Sequence, residues 1–239
     1  MLLFLHEGLG SRDLWKEWPD RVARRTGCAA VLYSRYGFGG SDPLAAQRRP
    51  DYLDVEALEA LPDVRAHFGL ERPIIIGHSD GGTIALMHAA DGRWPVRGMV
   101  VMAPHIFVEN VTLEGVRQAK AAWEAGGLRR RLSSWHTDAD ATFAGWADLW
   151  LTPEFHDWSI ESRLEGITCP LLLIQGELDQ YGSPEQLLAT ARRAQGPSEV
   201  MLLAGCGHVP HLEREEEVLD AIAAFVGKLV QDAGSARDG

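Results

Sequence analysis

Short apolar runs recur along the chain at Leu2–Leu5, Ala29–Tyr33, Pro73–Ile76, Arg97–Met102, Pro170–Ile174 and Glu199–Leu203, most of them bounded by glycine, proline or polar residues. Their length suits a strand better than a helix, and their uniform apolarity predicts burial on both faces. Between them Asp13–Arg25, Tyr52–Phe68, Thr83–Ala90, Pro184–Ala194 and Glu213–Val230 carry apolar residues at helical spacing. Strand alternating with helix implies the α/β class, here a mostly parallel sheet of about six strands with helices on both faces.

The rhythm breaks between Pro104 and Gly166, which holds no comparable strand but five of the eight tryptophans, Trp123, Trp135, Trp146, Trp150 and Trp158. This interval reads as a helical lid insertion, 104–166, set into a core formed by 1–103 and 167–231. The tryptophans can form a mini-core that glues the insertion to the body, or line an apolar pocket beneath it; Trp135, Trp146 and Trp150 are the pocket candidates. The Gly/Ser/Ala/Asp stretch at 232–239 is expected to be a disordered tail.

With 239 residues, 46% of them hydrophobic and 24% charged, the chain fits a single globular domain. A formal charge of −11, spread along the chain, disfavours nucleic acid and anionic membranes as partners. Three scattered cysteines, Cys28, Cys169 and Cys206, make neither a disulfide framework nor a zinc site and point to a reducing compartment. The start MLLFLHEG lacks the basic and cleavage regions of a signal peptide, and no segment is long enough to span a membrane, so a cytoplasmic location is expected. No strand-linked nucleotide motif occurs, and His136-Thr-Asp-Ala-Asp140 reads as a polar helix start rather than a metal ligand set. No cofactor and no metal are expected. Arg129–Arg131 reads as a solvated face.

The chemistry concentrates in Gly77-His78-Ser79-Asp80-Gly81, a G-x-S-x-G pattern between the strand Pro73–Ile76 and the helix beginning near Thr83. A nucleophile on so sharp a turn needs neighbours without Cβ atoms, and the helix that follows brings positive partial charge to a developing oxyanion. Ser79 is therefore the candidate nucleophile, with His78 pointing away from it. A serine needs a base. His208, in a glycine-flanked loop after the last strand, is preferred to the nearby His211. The carboxylate that orients it is Asp179 or Glu177, both after Pro170–Ile174, with Asp179 preferred. The order serine, acid, histidine suits this arrangement. The oxyanion donors are assigned to the N–H of Asp80 and, from the loop His6-Glu7-Gly8-Leu9-Gly10, to that of Gly8, with Leu9 as the fallback.

His6-Glu-Gly-Leu-Gly10, Ser34-Arg-Tyr-Gly-Phe-Gly-Gly-Ser41, the serine turn, Gly176-Glu-Leu-Asp179 and Gly207-His208 together resemble the α/β-hydrolase superfamily over essentially the whole chain. Within it the layout is similar to small lidded carboxylesterases, enol-lactonases and hydrolases of aromatic ring-cleavage products. The resemblance implies hydrolysis of a small carboxylic ester, lactone or thioester through an acyl-enzyme. Carbon–carbon bond hydrolysis by the same triad is the alternative, and a ligand receptor on the same fold is the alternative outside enzymology. An aspartate nucleophile is disfavoured by the serine at 79. Two departures stand out. The usual His-Gly pair is His6-Glu7, which places a carboxylate at or beside the pocket as a solvated charge or a repulsive one. Relatives usually carry two strands before the one formed by Leu2–Leu5, so Ala29–Tyr33 is expected at a sheet edge, in a monomer or a homodimer.

Overall fold

The six apolar runs become six parallel strands, β1 (Leu2–Leu5), β2 (Ala30–Leu32), β3 (Ile74–His78), β4 (Gly98–Met102), β5 (Leu171–Gly176) and β6 (Ser198–Leu203), in one sheet of order β2-β1-β3-β4-β5-β6. The structure, a computed structural model, describes residues 1–235. Of the tail expected at 232–239, the last four residues lie outside the described residues, and the final helix, Glu215–Ser235, takes the first four.

Alternate side chains of each strand feed two separate cores. Leu2 and Phe4 join Ile74, Ile76, Val100 and Ile174 under the helices Trp18–Thr26 and Glu215–Ser235. Leu3 and Leu5 join Ile75, Val101 and Leu173 on the other face, covered by the helix Asp80–Asp91 and the helical run 52–67. Both faces are dry, which is why the four central strands lack polar alternation. The run at 52–67 contains one π-helical stretch, Glu56–Ala60, and the stretch at 13–25 is broken at Lys16, whose φ of 52° separates a short 3₁₀ turn, Asp13–Trp15, from the helix proper.

The two edge strands depart from the expectation of two buried faces, β2 with Ala30 and Leu32 half-buried and β6 more strongly. β6 closes the sheet opposite β2, and Val200 and Leu202 are 40% and 38% exposed. Its Glu199 pairs with Lys228 of the last helix, a polar cover suited to an edge. β2 occupies the other edge, as expected for Ala29–Tyr33.

Between β4 and β5 the chain is helical: Asn110–Glu124, Gly127–Leu132, Ala139–Trp150, Pro153–His156 and a 3₁₀ turn, Glu161–Gly166, with one isolated antiparallel bridge between Phe107 and Ser159. His136 and the two aspartates after it go separate ways. His136 bonds to the backbone of Gly39 and Leu9, Asp138 caps the helix through the Ala141 N–H, and Asp140 pairs with Arg129. Among the described residues no helix is long and apolar enough to cross a membrane.

Because all six strands run the same way, their carboxyl ends share one edge. The loops bearing Gly8, Ser79, His105, Asp179 and His208 all leave from it.

Candidate active site

Ser79 follows β3 directly and has φ 51° and ψ −120°, a combination rare for any residue with a side chain. The strain is held from both sides. A Cβ on Gly77 would lie 2.4 Å from the Gly81 carbonyl oxygen, and one on Gly81 would lie 2.1 Å from the carbonyl oxygen of Leu5. Only glycine at these two places lets β1, β3 and the helix Asp80–Asp91 approach so closely. That helix starts at Asp80, three residues before its sequence signal, because Asp80-Gly-Gly has poor intrinsic propensity and is driven into the helix by tertiary packing.

A cavity of about 210 Å³ opens over Ser79, and Gly8, Asp80, His105, Trp146, Trp150 and His208 are among its walls. The imidazole of His208 is buried against Asp179, with Nδ1 2.9 Å from each carboxylate oxygen. A carboxylate only accepts, so Nδ1 carries the proton and Nε2 is left with a free lone pair. Burial alone would raise the Asp179 carboxyl, but the hydrogen bond and charge of His208 and the N–H of Tyr181, 2.8 Å away, hold it below the ordinary carboxylate range. Gln175 also donates to it, at 3.2 Å. The Ser79 hydroxyl makes no hydrogen bond to another described residue. Serine–histidine contacts of this type commonly tighten only around a bound substrate.

The competing residues fall elsewhere. Glu177 is exposed and outside the cavity wall. His211 is packed against Trp15 and Trp18, with ring centroids 4.9 and 5.8 Å apart, and burial pushes its pKa down to about 3. That depression sets a test. A folded-state pKa below the unfolded value of about 6.5 gives stability that is complete above pH 6.5 and is lost as pH falls toward 3. At pH 5 the loss is about 2 kcal/mol by the usual linkage arithmetic. His211→Phe is expected to shrink the difference in urea-unfolding free energy between pH 7 and pH 5 by that amount; an unchanged difference would show that His211 takes up its proton as readily in the folded protein as in the unfolded chain.

The Nε2–H of His78 donates to the carbonyl of His208 at 2.8 Å, bracing the histidine loop. Its Nδ1 is 3.6 Å from Glu7, whose carboxylate stands at the cavity wall. Burial opposes charge on both, yet their mutual attraction prevails: Glu7 titrates well below and His78 above its ordinary value. Glu7 is therefore a paired charge beside the pocket, with its side chain 30% exposed.

The backbone N–H groups of Gly8 and Leu9 have no acceptor within the described residues, and Gly8 and Asp80 both line the cavity. The Asp80 carboxylate accepts from the Tyr52 hydroxyl at 2.8 Å, and the Tyr52 oxygen accepts from Trp150 Nε1 at 3.1 Å. Arg35 lies 3.7 Å from the same carboxylate. Trp146 and Trp150 line the cavity.

Trp135 does not. It sits in the turn after the helix Gly127–Leu132, where the neighbouring His136 takes the inward position through its bonds to Gly39 and Leu9, leaving Trp135 half-buried outside the cavity. Sequence reasoning also missed His105, Tyr181 and Arg131 in the cavity wall. His105 and Tyr181 follow the carboxyl ends of β4 and β5, the same signal that selected Ser79, Asp179 and His208. Arg131 had no such signal, because its place depends on the fold of the helical interval.

A parallel sheet with a serine on a strained strand–helix turn, and a histidine–carboxylate pair across the same cavity, describes a hydrolase architecture. Residues 2–221 match the model of the alpha/beta hydrolase family, and the chain belongs to that family. It is 33% identical over 265 residues to a proline iminopeptidase of Lactobacillus delbrueckii subsp. lactis, covering 94% of this chain and 89% of that one. Among solved structures, 2-hydroxy-6-oxo-6-phenylhexa-2,4-dienoate hydrolase from Rhodococcus sp. strain RHA1 superposes with a TM-score of 0.78 at 16% identity, over 96% of this chain and 90% of that one. A thermophilic esterase from Thermogutta terrifontis does so at 0.73 and 20% identity, over 95% and 89%. At these identities the structural likenesses speak to fold.

Proposed function

We propose that the protein is a serine hydrolase that cleaves a small carboxylic ester, lactone or thioester through an acyl-enzyme. The observation that carries this reading is the doubly engaged His208–Asp179 pair, which leaves an unprotonated Nε2 in the cavity that also holds Ser79. Ser79 Oγ attacks the carbonyl carbon as His208 Nε2 takes the hydroxyl proton, and Asp179 steadies the imidazolium. The tetrahedral oxyanion is received by the N–H groups of Gly8 and Asp80. His208 returns the proton to the leaving oxygen or sulfur; it then takes one from water, which attacks the acyl carbon, and passes it to Ser79 Oγ as the acid departs. The aromatic walls from Trp146, Trp150 and Tyr181 favour an apolar or aromatic group on the substrate, and the helical interval 104–166 serves as the lid.

The similarity to a proline iminopeptidase favours a second reading, amide cleavage by the same residues with the proton of His208 passed to an amine. A fluorophosphonate probe followed by peptide mass spectrometry tests the shared part: one adduct is expected, on Ser79, and labelling elsewhere or nowhere refutes it. Turnover of p-nitrophenyl butyrate, a δ-lactone and a butyryl thioester is then compared with that of prolyl-p-nitroanilide and of a vinylogous keto acid. Activity confined to the anilide or to the keto acid replaces the ester class while leaving the serine in place.

A further inference from the structure

The carbonyl of Glu7 is more heavily solvated by protein than its two lone pairs require. His6 Nδ1 lies 2.8 Å from it, Arg35 Nη2 donates to it at 2.9 Å, and the N–H of Gly10 donates at 3.0 Å. The tautomer of His6 is forced, because its Nε2 accepts the backbone N–H of Arg35 at 3.0 Å; the remaining proton must sit on Nδ1 and point at Glu7. Both side chains are sealed from water, His6 fully and Arg35 with 1% exposure. Arg35 also reaches the carbonyl of His6 at 3.3 Å and stands 3.7 Å from the Asp80 carboxylate. One guanidinium thus spans the two segments that supply the proposed oxyanion donors.

The Glu7 carbonyl and the Gly8 N–H belong to one trans peptide, so fixing the first fixes the second in the opposite direction. Donors on the oxygen draw electron density from the nitrogen and make its proton a stronger donor. Resting on the serine-hydrolase reading, we infer that Arg35 and His6 are positioning residues that orient and polarise the Glu7–Gly8 peptide, so that the Gly8 N–H is presented to the oxyanion. Arg35 has a second task. It offsets the Asp80 carboxylate, a negative charge that would otherwise stand beside the site where negative charge develops. The basic residue of the Ser34–Ser41 segment acquires in this way a role that its distance from Ser79 in the chain conceals.

Arg35 is too deeply bound for its removal to be informative alone, so His6 carries the test. His6→Gln places an acceptor near the old Nε2, for the Arg35 N–H, and removes the donor to Glu7; His6→Asn places an amide N–H near the old Nδ1. Loss of one oxyanion donor costs about 10²–10³ in kcat, and a residue acting through that donor is expected to cost about tenfold. His6→Gln should therefore lower kcat on p-nitrophenyl butyrate about tenfold with KM nearly unchanged, and weaken a trifluoromethyl ketone, which forms a tetrahedral adduct, by the same factor. The Gly8 amide proton should move upfield, and His6→Asn should restore most of all three. A role in stability alone would instead lower the midpoint of unfolding without separating kcat from KM. Unchanged kcat and Gly8 shift in a folded His6→Gln overturn the inference. Should neither variant fold, nitrogen NMR of the wild-type imidazole decides: protonation at Nδ1 is expected, and a proton on Nε2 overturns it. A wild type that fluorophosphonate does not label at Ser79 brings down the functional reading, and this inference with it, whereas a labelled wild type with indifferent variants brings down the inference alone.

Discussion

Ser79→Ala is expected to lower kcat by about a millionfold, the scale seen when the nucleophile of a serine triad is removed. The loss should fall almost wholly on chemistry. Ser79 makes no side-chain hydrogen bond to another described residue, and its unusual φ and ψ are imposed by Gly77 and Gly81 from either side, so alanine inherits the same backbone with little change in stability. Substrate would still meet the walls built by Trp146, Trp150 and Tyr181. The measurement is paired: turnover with an ester substrate, and intact-protein mass spectrometry under burst conditions. A variant that keeps a tenth of the wild-type rate, or that accumulates an acyl adduct on another residue, would remove Ser79 from the mechanism.

Gly81→Ala is expected to cost about 3 kcal/mol of folding free energy, at the upper end of the range for forced overpacking. The added methyl would stand 2.1 Å from the carbonyl oxygen and 2.5 Å from the carbonyl carbon of Leu5, and 2.7 Å from the carbonyl oxygen of His6. These are backbone atoms of β1 and of the loop that carries Gly8, so no side-chain rotation can relieve the contact. Either β1 separates from the helix Asp80–Asp91, or the loop is pushed into the cavity. Urea denaturation followed by circular dichroism reads the first outcome and ester turnover the second. A variant with wild-type stability and wild-type kcat would mean that the close approach is dispensable.

The fold was legible because its signal is repeated. Six short apolar runs with amphipathic stretches between them leave few arrangements other than a covered parallel sheet, and shared strand direction then gathers the loops at 79, 179 and 208 on one edge without any knowledge of side-chain packing. The exposure of β6 was hidden because its outer face also carries apolar residues, Val200 and Leu202, so that in sequence it looks like a central strand. Trp135 shows a different limit. Its composition marks it as buried, but whether it or His136 faces inward depends on one turn in the helical interval, set by bonds from His136 to Gly39 and Leu9, nearly a hundred or more residues earlier in the chain. Glu7 and His78 were each visible as unusual neighbours of the site. Their pairing was not, since it needs β1 and β3 side by side.

The helical interval is tied to the core along its length. Near its start Glu109, which precedes the helix Asn110–Glu124, receives hydrogen bonds from Ser183 and Gln186 just beyond the Asp179 loop; further on His136 grips the loop of Leu9, Thr142 bonds to Gly37 and Trp150 to Tyr52. Leu9, Arg131, Gln180 and Tyr181 line both the cavity over Ser79 and a neighbouring hollow of about 430 Å³, and so form a partition shared by the two. A shorter side chain at any of these four positions would open the two hollows toward one another and enlarge the room beside Ser79.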